Sequence, residues 1–245
     1  MNSDLPPVIH AHETGCSLPE SESHRGVRSS SILLATLNAT TPLQGKHVRL
    51  EPLEMCHADA LVDAVNAAPD QSIYRWTQVP RTSAEAVDYI GAALAMRDAG
   101  TAAPFVTVRK EDGAVIGSTR FFDMQTWPWP AGNPRHGRTA PDVCEIGYTW
   151  LAHSAIRTAA NTESKFLMLC HAFESWGVLR VCLHTDVRNL RSQVAIVRIG
   201  GVKEGVLRAH KLASDSTTRD SARFSIIATE WPGVKQRLRR MLMQP

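Results

Sequence analysis

Between residues 145 and 208 the spacing of apolar side chains changes from one short stretch to the next, and each spacing predicts an element. VCEIGYTWL, residues 143–151, is rich in β-branched and aromatic residues and bounded by polar turns, which predicts a strand. In the run ESKFLMLCHAFESWG, Phe166, Leu169, Cys170, Phe173 and Trp176 recur at steps of three and four. That is one stripe of an α-helix, and Gly177 stands where a left-handed residue would end it. LRVCLHT, residues 179–185, reads as a second strand, and residues 186–201 as a polar turn running into a second helix. Residues 144–185 are therefore a βαβ unit. Its crossover is right-handed, which places the N-terminus of the helix at the carboxyl end of the first strand.

The remaining chain is plainer. Residues 1–42 are rich in Ser, Pro, His and Glu without periodicity and read as a disordered tail ahead of a domain over 43–245. Residues 45–52 alternate as a strand, and 58–67 and 83–97 carry helical spacing, the second with Thr82 or Ser83 as N-cap ahead of Glu85. A loop with Tyr74, Trp76 and Pro80 joins these helices. Residues 105–109 and 114–122 are strands around Glu111-Asp112-Gly113, a hairpin signal. Residues 127–138 hold too many prolines and glycines for regular structure, and a loop of that length is more often functional or mobile than not. Further on, 201–207 and 223–228 are strands, polar residues 208–220 a loop, and Trp231-Pro232 opens a basic helix.

Composition narrows the classes. A chain of 245 residues with 43% hydrophobic content suits one domain with a sizeable core. A net charge of +3 is too mild to argue for nucleic acid. Cysteines at 16, 56, 144, 170 and 182 form no C-x-x-C pair, which favours reduced thiols in a cytoplasmic protein over disulfides or zinc. The ten histidines lack ligand spacing such as H-x-x-x-H, so no metal is expected. The apolar run over residues 31–37 is too short for a membrane span or a signal-peptide core.

Residues 157–162, RTAANT, are small and open onto a helix, so free backbone amides and the positive end of the helix dipole face one concavity. A phosphate or pyrophosphate suits that place; an ordinary N-capped turn is the other reading.

The order of EIGYTWL, Arg-x-x-Ala-x-Thr, helix, strand, Asn-x-x-Ser, helix and GGVKEGVLR resembles the acetyl-CoA-binding half of the GNAT superfamily of N-acetyltransferases, in its RimJ/RimL-like branch. The likeness covers about residues 43–231 and is stronger after Val143. It implies an α/β (α+β) fold with a mixed, mostly antiparallel sheet, helices on both faces, and central strands splayed by acetyl-CoA. The family's pyrophosphate loop carries Gln or Arg, then Gly, then Gly or Ala; this chain keeps Arg157 but has Ala160 and Thr162 at the small positions. Methyl groups there narrow the approach to phosphate while the N–H donors survive. Arg157, Thr158, Ala160, Asn161 and Thr162 are thereby the expected phosphate seat, with Asn189 on the pantetheine arm and Trp150 and Leu151 pairing with its amides like an added strand.

The chemistry implied is attack of a neutral amine on a thioester. An α-amine, with a pKa of about 7.7–8.0, is substantially neutral near pH 7.4, whereas a lysine amine at about 10.4 is neutral roughly once in a thousand molecules. The proton therefore needs a path, and Glu145 on the central strand matches the family's acidic residue as base, directly or through a water. Ser192 matches a hydroxyl aimed at the leaving sulfur, and the main-chain N–H near Tyr148 an oxyanion donor, with Gly147 suited to the bulge that opens the strand. Glu145 in a salt bridge and Asn189 with Ser192 as a helix-start pair are the structural alternatives. Trp76 and Trp127 are candidate walls for the acceptor, a small-molecule or peptide amine. A catalytically silent CoA-binding module, a larger acyl group and a homodimer remain open.

Overall fold

The computed structural model describes residues 41–244. The expected tail falls, up to residue 40, outside the described residues.

The described strands form one mixed sheet. They are β1 (Leu43–Gln44), β2 (Val48–Pro52), β3 (Ala102–Arg109), β4 (Val115–Gln125), β5 (Val143–Leu151), β6 (Arg180–Asp186), β7 (Val202–Leu212) and β8 (Thr218–Ile227), in the order β1-β2-β3-β4-β5-β6-β8-β7. Neighbours are antiparallel except β5 and β6. The helices are α1 (Ala58–Asn66), α2 (Ser83–Asp98), α3 (Ala160–Cys170), α4 (Leu190–Arg198) and α5 (Trp231–Met243). Thr82 caps α2 as its composition predicts, its hydroxyl accepting from the Glu85 amide. The expected βαβ crossover is β5-α3-β6.

Two apolar clusters hold helices to opposite faces. Met168, Leu169, Phe173 and Trp176 of the α3 stripe pack with Trp231 and Leu238 of α5 against Phe121, Ile146, Leu183 and Phe224. Across the sheet, Leu61 and Val65 of α1 and Ile90 of α2 cover Val106, Ile116 and Trp150. The α3 stripe continues through a wider π turn, His171–Trp176, and Gly177 ends it at φ 63°, the left-handed stop its position predicts. Since α1 and α2 reach no further than β4 and the carboxyl end of β5, the same face of the first part of β5, of β6 and of β8 opens onto a cavity.

The structure corrects two element boundaries and the seat of one bulge. Residues 208–220 are mostly strand: β7 and β8 pair out to Leu212↔Thr218, and the turn is short. β7 is an edge strand exposed along nearly all its length, so its side chains do not alternate and no strand period was visible. β3 begins at Ala102 rather than Phe105, because Pro104 reads as a breaker yet lies just beyond the last β2 pair, Pro52↔Phe105. The bulge in β5 takes its left-handed backbone at Tyr148, φ 51°, not at Gly147. Gly147 is required for a different reason: a Cβ there would stand 2.8 Å from the Phe122 ring.

Candidate active site

β5 and β6 pair through Val143↔Arg180, Cys144↔Val181 and Glu145↔Cys182, and there the pairing stops. Both strands run on, β5 to Leu151 held by β4 and β6 to Asp186 held by β8. Facing main-chain edges are thus left unpaired with each other over Ile146–Leu151 and Leu183–Asp186, a slot that an extended amide-bearing chain can fill by β-type pairing.

Glu145 stands at the fork. Its carboxylate is buried, and Oε2 lies 2.7 Å from His184 Nδ1, with both side chains under a tenth exposed. The contact is close in distance, but its angles are not those of a hydrogen bond, and neither ring nitrogen of His184 has another partner among the described residues. Glu145 and His184 line a cavity of about 660 Å³ together with Tyr148, Trp127, His210 and Lys211. Sequence reasoning missed His184; the parallel register that sets Glu145 beside Cys182 brings it in from two residues further on.

The bulge shapes the fork. β4 and β5 pair Ser118↔Trp150 and then Arg120↔Gly147, two steps on β4 against three on β5. The Gly147 carbonyl receives long hydrogen bonds, 3.4 Å each, from the hydroxyls of Thr119 and Thr149. A trans peptide points its N–H opposite to its C=O, so the Tyr148 amide faces away from those hydroxyls, on the side where β5 has lost β6. The Tyr148 ring, half exposed, lies edge-on to Phe122 and under the Arg120 guanidinium, 4.0 Å away.

At the start of α3, Arg157 adopts φ 65° and is exposed. The Thr158 hydroxyl donates to Ala155 O and accepts from the Ala160 amide at 3.2 Å, and the Thr162 hydroxyl accepts from Arg198 at 2.8 Å. Of the amides in the first turn, that of Ala160 is therefore partly satisfied, and those of Asn161 and Thr162 are the ones helix geometry leaves over. The seat is narrower than a double-glycine loop would give, since Ala160 and Thr162 are buried, but Arg157 and Arg198 add positive charge beside it.

Asn189 caps α4, its side-chain oxygen accepting from the Ser192 amide at 3.1 Å, while the Ser192 hydroxyl makes no hydrogen bond within the described residues. The helix-start reading of this pair is thus realised, and the hydroxyl stays available. Trp127 lines the cavity, its amide bonded to Asp142 at 2.8 Å. Trp76 does not line it; its ring lies between the guanidinium groups of Arg75 and Arg188 at 4.4 and 4.3 Å. The main chain of Trp150 and Leu151 borders the slot while the Trp150 ring is buried against Tyr74. The described cysteines, 56, 144, 170 and 182, are free thiols. No helix among the described residues is long and apolar enough to cross a membrane.

A splayed parallel pair inside a mostly antiparallel sheet, with a helix N-terminus above the gap and a buried carboxylate at its apex, defines the acyl-CoA-dependent acyltransferase architecture. A family model for the acetyltransferase (GNAT) domain matches residues 47–202, and the chain belongs to this family, whose members transfer acetyl groups from acetyl-CoA. Among solved structures it is similar to a GCN5-related N-acetyltransferase from Brucella melitensis, with 28% identity, a TM-score of 0.70, and coverage of 83% of this chain and 86% of that one. Mycobacterium smegmatis RimJ, solved with CoA-disulfide, shares the fold at 21% identity and a TM-score of 0.64, covering 79% and 88%. A ribosomal-protein-S5-alanine acetyltransferase from Vibrio fischeri does so at 14% identity and a TM-score of 0.60, covering 78% and 98%. The RimJ/RimL-like branch is thereby represented among the fold's neighbours. Among curated proteins none matches this chain in sequence.

Proposed function

We propose that this protein moves an acetyl group from acetyl-CoA to a primary amine by direct attack within a ternary complex. The observation that carries the reading is the fork itself: pairing of β5 and β6 ends at Glu145, so a thioester threaded between the strands arrives beside a carboxylate. The main chain of Trp150 and Leu151 holds the pantetheine arm, and Arg157 with the Asn161 and Thr162 amides holds the diphosphate.

The acceptor enters from the cavity. Its ammonium gives up a proton to Glu145, directly or through a water, with His184 2.7 Å behind the carboxylate to share it. The neutral amine attacks the thioester carbonyl, and the oxyanion accepts from the Tyr148 amide. The leaving thiolate, if it resembles a cysteine thiol with a pKa of about 8.5, departs at modest cost, the Ser192 hydroxyl supplies a hydrogen bond to it, and the second proton of the acylated nitrogen passes to the sulfur or to solvent. Burial, aided by Cys182 and Glu145, pushes the Cys144 thiol well up, out of reach of a nucleophile's role. With no enzyme-bound acyl intermediate, the acceptor must bind before the donor leaves.

Likeness in fold to a ribosomal-protein-S5-alanine acetyltransferase makes a peptide N-terminus the first acceptor to try. Thiol release from acetyl-CoA is followed with a panel: peptides beginning Ser or Ala, spermidine, free lysine and an aminoglycoside. Release accelerated by at least one amine supports the transferase. The second reading, a CoA-binding module without turnover, is favoured by the engaged Ala160 amide and Thr162 hydroxyl. Calorimetric CoA binding without release from any acceptor would establish it.

A further inference from the structure

Lys165, in the second turn of α3, is buried and touches no carboxylate among the described residues. Its Nζ donates to Thr149 Oγ1 at 2.6 Å and Thr119 Oγ1 at 2.9 Å, and the two hydroxyls lie 2.8 Å apart. Burial pulls the amine down to about 7. A methionine would occupy the same volume without desolvating an amine, so packing alone does not explain a lysine here.

The groups it touches do explain it. With Nζ donating to both threonine oxygens, one hydroxyl donates to the other across 2.8 Å, and the remaining hydroxyl hydrogen is left for the Gly147 carbonyl, 3.4 Å from each oxygen. That carbonyl belongs to the same peptide as the Tyr148 amide. Hydrogen-bond donors behind a carbonyl, the more so while the Lys165 amine is protonated, draw electron density toward its oxygen and leave the N–H at the other end a stronger donor, and little solvent intervenes to screen the effect. The same bonds pin the bulge, since Thr119 comes from β4 and Thr149 from β5.

We propose that Lys165 is a positioning residue for acetyl transfer: through the hydroxyls of Thr119 and Thr149 it fixes and polarises the Gly147–Tyr148 peptide, whose N–H receives the oxyanion. The claim rests on the transferase reading of this site and adds to it a third layer behind β5.

The test compares Lys165→Met, Thr149→Val and Thr149→Ser with the unmodified protein. Four quantities are read: kcat and KM by thiol release with the fastest acceptor of the panel above, CoA affinity by calorimetry, Tm, and the Tyr148 amide resonance in 15N-labelled protein. Lys165→Met and Thr149→Val are expected to lower kcat about tenfold or more while KM for acetyl-CoA changes less than about twofold. Thr149→Ser keeps the hydroxyl and restores kcat to within about threefold. Lys165→Met leaves Tm equal or higher, which separates positioning from loss of structure, and moves the Tyr148 amide proton upfield. An unchanged kcat in Lys165→Met, or a fall that merely follows a lowered Tm, overturns the proposal. Should the unmodified protein acetylate no member of the panel, the transferase reading fails by itself, and the amide resonance still decides: no shift in Lys165→Met overturns the positioning claim.

Discussion

Glu145 Oε2 and His184 Nδ1 stand 2.7 Å apart across the only parallel strand pair among the described residues, at the point where that pair divides. The carboxylate thereby stands at the mouth of the slot with one oxygen against the imidazole, on the lining of the cavity. Glu145→Gln is expected to lower kcat by about two to four orders of magnitude while leaving the CoA dissociation constant nearly unchanged. Thiol release and calorimetry measure the two, and equal turnover would remove Glu145 from the proton path.

His184 acts through Glu145, so its loss should cost less. His184→Asn is expected to reduce kcat by about tenfold and to shift the pH–rate profile, with little change in CoA affinity. An identical profile in the variant would leave the histidine a packing role only.

Reversing the charge of Arg157 places a carboxylate beside the amides at the start of α3. Arg157→Glu is expected to raise the CoA dissociation constant by about tenfold or more and to slow turnover at saturating acetyl-CoA far less. Unaltered CoA affinity would move the diphosphate elsewhere.

Asp142 anchors the proline-rich loop by accepting from the Trp127 amide, the Trp129 indole and Arg135. Burial pushes its carboxyl up, but these donors outweigh it and hold the group below the usual carboxylate range. Its contribution to stability is therefore complete above about pH 4, where the unfolded carboxylate is ionised, and lost as pH falls through the lower folded value. Asp142→Asn should lower Tm at neutral pH by roughly 2–4 °C for each kcal/mol lost and flatten the acid limb of Tm against pH. A variant with the same acid limb would show that the loop is held by other groups.

Asn189 spends its side-chain oxygen on the Ser192 amide. Asn189→Ala is expected to destabilise the protein by about 1 kcal/mol through lost capping, read as a Tm decrease, whereas Ser192→Ala leaves Tm unchanged and slows thiol departure. A Ser192→Ala variant with wild-type kcat would confine the pair to helix capping.

The βαβ unit and its helix stop were legible because a long apolar stripe and a left-handed glycine are local signals: Leu169, Phe173 and Trp176 face the core, and Gly177 ends the turn. The β7–β8 hairpin was not, since an exposed edge strand buries neither face and leaves no period to read. His184 was hidden for another reason, as only strand register joins it to Glu145. Lys165 did leave a trace: it falls four residues before Leu169 and eleven before Trp176, on the apolar stripe, where a charged residue signals a buried contact. Trp76 shows the limit of resemblance, because its ring is taken up between Arg75 and Arg188 rather than turned to the cavity.

The central claim is that the gap between β5 and β6 seats the donor so that its thioester meets Glu145. A crystal structure of the protein with CoA tests it most directly. The account predicts the pantetheine arm paired with the main chain of Trp150 and Leu151, the diphosphate at the first turn of α3, and the sulfur near Tyr148 and Ser192. CoA bound outside the gap, or strands that stay too close to admit it, would contradict the account.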